Sequence, residues 1–344
     1  MLYVSTRNKM DSYTSYRALH EEYAPDGGQY VPFQIPVFSH EELNSFQEKT
    51  FGQTVAQILN LFFSTRLTGW DIDCCVGRNP VRTEQMNHRL LMVEAWHNPC
   101  GTYESFERSV YAQLCGCAES AQPTRWAKIA IYISVLFALY KDIAACGVEQ
   151  VDIVINTGDF VQPMAAFYAR RMGLPIGDII CACNENSAVW DLIHRGEFNT
   201  NAPKIQTALK QLDVSKPAGV EQLVYETLGL EAVDSYLQTC HKKGTFRLDE
   251  ETLQKLNAGW FSAVVGTNRT QAIINSMYRT NQYLMDPYTA LSYGGLQDYR
   301  SRTGVNQHTV LLSTYNPYGF ADVIGSAIGM SGSELRIRMS KNKE

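Results

Sequence analysis

The chain has 344 residues, of which 45% are hydrophobic and 19% charged, and its formal net charge at pH 7 is −5. This composition is typical of a globular protein that is long enough to bury a large core in one or two domains. The sequence has no basic run, which excludes nucleic acid and anionic membrane surfaces as expected partners. The longest apolar run, residues 129–140, is too short to cross a bilayer and predicts a buried helix. We expect a soluble, cytoplasmic protein.

Nine cysteines are scattered along the chain, mostly within apolar runs, as is typical of reduced thiols in a cytosolic protein. Two Cys-x-Cys pairs occur, at Cys115/Cys117 and at Cys181/Cys183, but neither has the spacing of a zinc site. The seven histidines show no HxxxH or HxH spacing. We therefore expect no bound metal.

The first 90 residues mix short helices with turns and are predicted to form an N-terminal region. Residues 24–32, with the sequence APDGGQYVP, are a turn cluster because proline presets φ and the two glycines allow positive φ. Residues from 40 onward and residues 54–63 carry apolar side chains at helical spacing.

The sequence from residue 151 onward predicts an α/β domain. A β-branched strand over 151–156 is followed by a turn at 157–159, a helix over 162–171 and a strand over 178–183. This βαβ unit predicts a parallel sheet with helices over both faces. Further helices are predicted over 270–278, 287–296 and 318–328, a strand over 310–313, surface connections over 206–219 and 241–251, and a charged tail over 339–344.

Two loops are candidates for a functional site, because ligands of open parallel sheets bind beyond the carboxyl ends of the strands. In residues 156–161, a glycine turn leads into a helix N-terminus, which is a general anion-binding arrangement. Asp159 in this turn is interpreted first as a helix N-cap, and only second as a ligand-binding residue. The second loop, residues 313–320, follows the predicted strand at 310–313.

Five separated motifs, in the same order, resemble those of threonine synthases. Residues 91–106, LMVEAWHNPCGTYESF, resemble the family segment LELFHGPTLAFKDF, and residues 24–32 resemble APDGGLYVP. Residues 156–161 resemble the SGNFG phosphate loop, residues 284–290 resemble DPHTAVG, and residues 313–320 resemble STAHPAKF. The resemblance implies the fold of fold-type-II enzymes that use pyridoxal phosphate (PLP), with residues 91–338 forming the large lobe. It also implies remnant cofactor-binding residues, namely Thr157, Gly158, Asp159, Phe160 and Thr314.

The chain departs from this family at the residues that carry the chemistry. Glu104 stands at the position of the Schiff-base lysine, and a carboxylate cannot condense with an aldehyde to hold PLP. Asp159 and Val161 replace the Asn and the last Gly of the phosphate loop, and a like-charge contact at ~4 Å repels by a few kcal/mol. The small lobe of the family is missing near residues 107–125, where too few residues remain for a minor domain.

These departures predict a catalytically inactive relative, a pseudoenzyme that serves as a binding or assembly module without a cofactor. One alternative is an active PLP-dependent lyase that converts O-phosphohomoserine to threonine, for which Lys128 is the nearest lysine by motif. Another alternative is a small-molecule sensor that uses the remnant pocket. Loss of the lobe is expected to uncover an apolar side of the cleft, so we predict a homo-oligomer or a complex with another protein.

Two other interpretations of the residues near Glu104 are weaker. Glu104 and Glu107 could form a carboxylate pair, but a solvated helix start is the default interpretation. His97 and Cys100 could form a Cys–His pair, but the extended segment predicted here would place them on opposite faces.

Overall fold

The structure is a computed structural model that describes residues 1–99, 101–118 and 120–341, with side chains through residue 336. Cys100, and with it the proposed Cys–His pair, lies outside the described residues. The strands of the described part are β1 (Leu2–Ser5), β2 (Asn8–Thr14), β3 (Tyr30–Pro32), β4 (Arg82–Asn87), β5 (Leu90–Glu94), β6 (Val151–Asn156), β7 (Ile176–Cys183), β8 (Glu197–Asn199), β9 (Thr245–Arg247), β10 (Trp260–Val264) and β11 (Thr309–Ser313).

The helices surround these strands in chain order. They are α1 (Ser15–His20), α2 (His40–Ser45), α3 (Phe51–Phe63), α4 (Gly69–Val76), α5 (Tyr103–Cys115), α6 (Arg125–Ala138), α7 (Tyr140–Ala145), α8 (Val161–Arg171), α9 (Ala188–Arg195), α10 (Gly219–Leu228), α11 (Leu230–Lys243), α12 (Glu250–Leu256), α13 (Thr267–Asn281), α14 (Pro287–Thr303), α15 (Ala321–Ile328) and α16 (Gly332–Lys341). No helix of the described part is long and apolar enough to cross a membrane.

A six-stranded sheet in the order β10-β7-β6-β11-β5-β4 forms the centre of the protein. Its neighbours pair in parallel except β4, which pairs with β5 as an antiparallel edge strand. Along β6, Ile153 and Ile155 join the core cluster that includes α3, α6 and α8. Val154 joins the opposite cluster with α13 and α14. Both faces of the sheet are therefore buried, as the β-branched strand pattern predicts, and the predicted α/β fold is confirmed.

The N-terminal region packs on one face of this sheet through a small sheet of its own, in the order β2-β1-β3. The Tyr3 hydroxyl donates to the backbone oxygen of Phe62 at 2.9 Å and accepts from Trp126 Nε1 at 2.8 Å, which ties β1 to α3 and α6. The β4–β5 hairpin belongs to the central sheet, so it groups residues 82–90 with the α/β region.

The short interval between α5 and α6 contains no strand in its described residues. Residues 116–124 connect the two helices directly, and the remaining sheets of the described chain are the N-terminal sheet and the pair β8-β9. The structure therefore provides no second α/β lobe in this interval.

Some sequence predictions of the connections were wrong. Residues 241–251, predicted as a surface connection, belong to the end of α11, to β9 and to the start of α12. The polar and charged side chains there lie on the outer faces of short elements, so composition alone could not distinguish them from a loop. The predicted tail from residue 339 begins inside α16, which continues through Lys341.

Candidate functional site

A cavity of about 300 Å³ lies beyond the carboxyl ends of β6 and β11. It is bounded by the start of α5, by Lys128 of α6, by the turns after the two strands and by the segment around residue 211. Its lining residues are Tyr103, Glu104, Glu107, Lys128, Asn156, Thr157, Gly158, Asp159, Val161, Gln162, Gln211, Leu212, Thr314 and Tyr315. Of the six predicted site residues, five line this cavity.

Phe160 is the predicted site residue that does not line the cavity. Its side chain is fully buried and stacks on Trp260, with 5.5 Å between the ring centroids. Its role is to anchor the turn in the core, and its backbone adopts a left-handed φ of 66°.

Glu104 lies in the first turn of α5, and the backbone holds this helix start against the turn after β11. The Tyr103 N–H donates to the Thr314 backbone oxygen at 3.2 Å, and the Thr102 side chain caps the helix by accepting from the Ser105 N–H. Glu104 Oε1 accepts hydrogen bonds from the Gln211 side-chain amide and from the Tyr315 hydroxyl, the latter at 3.5 Å. The carboxylate therefore points into the place where the family has its lysine.

Asp159 does not cap α8, so the N-cap interpretation was wrong. The N-cap residue is Phe160, which has no side-chain capping bond. The Asp159 carboxylate instead accepts from the Ala218 N–H at 2.7 Å and forms an ion pair with Arg125. Since Asp159 precedes the N-cap, its side chain is turned away from the first helical N–H groups toward α10 and α6.

The ion pair with Arg125 also changes the electrostatics that the sequence predicted. Arg125 is 5% exposed and donates both to the Asp159 carboxylate and to the Asp159 backbone oxygen. The negative charge of Asp159 is therefore compensated within the protein. Its repulsion of an anion in the cavity is weaker than the isolated contact assumed from the sequence.

The segment 207–213 covers the cavity, which corrects its prediction as a surface connection. Asp213 anchors the segment by accepting from the Thr207 N–H, the Thr207 hydroxyl and the Asn184 amide at 2.7–2.8 Å. Leu209 and Leu212 are buried in a cluster with Tyr288 and Leu291. The hydrophobic contacts of two leucines thus hold the segment down, a pattern too short to be recognised as a structural element.

This segment also occupies space in front of the glycine turn. A Cβ atom on Gly158 would lie 3.8 Å from the Gln211 backbone oxygen, and Gly158 has a φ of 44°. Tyr315 stacks on Tyr288 with 4.3 Å between the ring centroids. The apolar side of the cleft is therefore covered by the chain itself at these aromatic residues, contrary to the reason given above for association.

Glu107 is the most perturbed acid of the cavity, and its default interpretation as part of a solvated helix start was wrong. Its side chain is buried, and this burial raises the pKa of the carboxyl group to about 8. Lys128 acts in the opposite direction, and Glu104 adds to the rise. No group in the described part of the chain hydrogen-bonds to the Glu107 carboxyl.

Comparisons with known proteins agree with the fold and with the motifs. Residues 2–79 match the family model described as threonine synthase N terminus. The chain is 27% identical over 180 residues to threonine synthase-like 1 of Homo sapiens, covering 50% of this chain and 24% of that protein. It is 28% identical over 211 residues to threonine synthase of Corynebacterium glutamicum, covering 59% of this chain and 44% of that protein. The chain thus spans less than half the length of these curated relatives.

Solved structures show the same architecture. The PLP-bound threonine synthase from Brucella melitensis superimposes with a TM-score of 0.82 at 18% identity, covering 96% of this chain and 92% of that chain. Threonine synthase from yeast gives a TM-score of 0.82 at 17% identity, covering 95% and 90%. The fold is therefore that of the fold-type-II PLP proteins. Together with the N-terminal match and the curated relatives, it shows that the chain belongs to the threonine synthase family.

The described cavity does not fit PLP bound through a lysine at the position of Glu104. A carboxylate with a hydrogen bond from Gln211 stands there, and the Gln211 backbone approaches the glycine turn. The cavity does contain one lysine among its lining residues, Lys128, which reaches it from α6 on the side of Glu107.

We predict that Glu107→Gln stabilises the protein at neutral pH. The folded protein keeps the Glu107 proton up to about pH 8, whereas the unfolded chain loses it near the ordinary value of 4.5. Between these values the unfolded state binds fewer protons, so Glu107 lowers stability by up to about 1.4 kcal/mol per pH unit as pH rises. Urea denaturation at pH 7.5 should show a gain of about 2–4 kcal/mol that disappears toward pH 4.5.

The matched control is Glu84→Gln, which removes an exposed carboxylate on the edge strand β4 and should change stability little at either pH. Equal pH dependence in the wild type and in Glu107→Gln would mean that Glu107 is ionised in the folded protein, and the prediction would be wrong.

Proposed function

We propose that the chain is a pseudoenzyme of the threonine synthase family that binds no catalytic PLP and acts as a binding module. The observation that supports this most directly is the Glu104 carboxylate, fixed by Gln211 at the start of α5 where an imine would need an amine. The cover formed by residues 207–213 supports it further, because this segment lies over the glycine turn.

The alternative is an active PLP-dependent lyase, and the position of Lys128 is the observation that favours it. Its side chain lines the cavity and is close enough to Glu107 to lower the pKa of that carboxyl group. However, Lys128 lies on α6 rather than on the α5 start, so an imine there would place the cofactor differently from one at residue 104. A direct test for covalent PLP separates the two proposals.

We predict that PLP forms no covalent adduct with the purified chain. The protein is mixed with PLP and reduced with borohydride, and peptides are mapped by mass spectrometry while the visible spectrum is recorded. The expected result is no stoichiometric modification of any single lysine. Lys128→Ala serves as the matched variant. Stoichiometric labelling of Lys128 in the wild type and its loss in the variant would overturn the pseudoenzyme proposal.

We further predict that Glu104→Lys restores neither PLP binding nor formation of threonine from O-phosphohomoserine. The new amine would meet Gln211 and the covered glycine turn, and groups that act as a unit give strongly non-additive effects. Catalysis is measured by release of phosphate and by appearance of threonine. Turnover by this single variant would contradict the proposal and would indicate that another chain supplies the missing lobe.

Additional repair of the phosphate loop has a structural cost. Asp159→Asn with Val161→Gly restores the family residues and is expected to permit weak PLP binding at the N-terminus of α8. The change also leaves the buried Arg125 without its carboxylate partner. Loss of one partner of a buried ion pair costs on the order of 3–5 kcal/mol, so this variant needs a thermal unfolding control.

We also propose a cytoplasmic protein that associates with itself or with another protein. The covered cleft does not supply the surface, but the N-terminal region exposes large apolar side chains, among them Met10, Phe33 and Trp70. Light scattering after size-exclusion chromatography at micromolar concentration should give a dimer or larger species. A monodisperse monomer that captures no partner would count against association.

A further inference from the structure

The cavity contains polar groups that the described protein leaves without partners. The Tyr103 hydroxyl is buried, and no described group hydrogen-bonds to it. The carboxyl group of Glu107 is likewise buried and unpartnered. Buried polar groups without partners are rare and costly. These two therefore indicate a ligand that completes the hydrogen bonding.

These groups lie on one face of one helix. Tyr103, Glu104 and Glu107 are spaced i, i+1 and i+4 along α5, and positions three and four apart are neighbours on a helix surface. Glu104 uses its Oε1 atom for Gln211 and Tyr315, while its Oε2 atom has no hydrogen bond in the described structure. The α5 face therefore offers several oxygen atoms to a donor in the cavity.

We propose that this cavity binds a small molecule through a primary ammonium group held by Glu104 and Glu107. An ammonium group carries three N–H donors and one positive charge, so it can satisfy both carboxyl groups and the Tyr103 oxygen together. The inference rests on the proposed function, since it takes the cavity to be free of PLP.

Lys128 does not already play this role in the structure. It makes no direct ion pair with Glu104 or Glu107, although it lies near enough to affect the latter. Its charge instead favours a polar or anionic group at the opposite end of the ligand. The backbone turn at Gly158 before the uncapped N-terminus of α8 favours the same kind of group. Simple amines and α-amino acids share the required ammonium group, and the experiment distinguishes them.

Binding of an ammonium group is expected to release a proton. Without ligand, burial keeps Glu107 protonated up to about pH 8, and a neighbouring cation favours the ionised form. The charged and titratable groups that face it are Lys128 and Tyr132 from α6, Glu104 and Tyr103 from α5, and Tyr315 from the turn after β11. Affinity should therefore rise as pH increases from 6 toward 8.

The test is isothermal titration of the full chain with three matched probes in the absence of PLP: n-butylamine, 2-aminobutyrate and butyrate. We expect heat and saturation with the two amines but not with butyrate. Titration at pH 7 in two buffers of different ionisation enthalpy should show release of about one proton per bound amine. Preferential binding of 2-aminobutyrate over butylamine would identify the α-amino acid as the source of the ammonium group, and the reverse would identify a simple amine.

Variants assign the effect to the cavity. Glu104→Gln and Glu107→Gln should each weaken amine binding at least tenfold, and Glu107→Gln should also abolish the proton release. Glu84→Gln, outside the cavity, should bind as the wild type does. Lys128→Met should strengthen butylamine binding while weakening 2-aminobutyrate relative to it.

Equal or tighter binding of butyrate, or amine binding unchanged in both folded cavity variants, would overturn the inference. So would the absence of binding by both amines at millimolar concentration. Covalent labelling by PLP would instead overturn the proposed function, and that result comes from a separate experiment. The two failures can therefore be distinguished.

Discussion

The ion pair between Arg125 and Asp159 is the interaction on which the arrangement of the site depends. Arg125 is almost completely buried, and a buried guanidinium requires an acceptor for its charge. The backbone of Arg125 also donates to Glu22 of the N-terminal region, and Asp159 accepts from the Ala218 N–H. Four parts of the chain therefore meet at one charge pair, namely the N-terminal region, α6, the turn after β6 and the start of α10.

This constraint gives Asp159 a structural reason that is independent of any ligand. In the family motif the position carries Asn, which could accept one of these hydrogen bonds but would leave Arg125 without a countercharge. The acidic residue at this turn is thus coupled to the packing of α6. The turn itself keeps the left-handed backbone at Gly158 and Phe160, so its shape persists while its charge has changed.

The sequence predicted the central fold because the determining signals are local. The β-branched strand at residues 151–156, the glycine turn and the helix to Arg171 each carry their own pattern, and burial on both faces follows from the parallel pairing. The Glu104 substitution was also visible, since its neighbours match a motif. The convergence of Glu104, Gly158 and Thr314 on one cavity followed from their places at the ends of strands.

Other features depend on contacts between residues far apart in the chain, which no local pattern reveals. Gln211 reaches Glu104 across 107 residues, and the segment that carries it is held by two leucines and by Asp213. The burial of Glu107 depends on α6 and on the turn after β11 packing around the α5 start. The ion pair of Asp159 required knowledge that Arg125 is buried, and the arginine alone is compatible with a surface position.

The separation between core and cavity explains how the fold persists while the site changes. The side chains that hold the sheet, such as Ile153 and Val154, point into clusters on its two faces, whereas the cavity residues lie at the strand ends. Exchange of a lysine for Glu104 therefore removes a reactive amine without disturbing a core contact. Glu107 shows the limit of this independence, because its burial lets the protein favour a neutral carboxyl over an ionised one. A cation entering the cavity would reverse that preference, so the charge of this site is set by what occupies it.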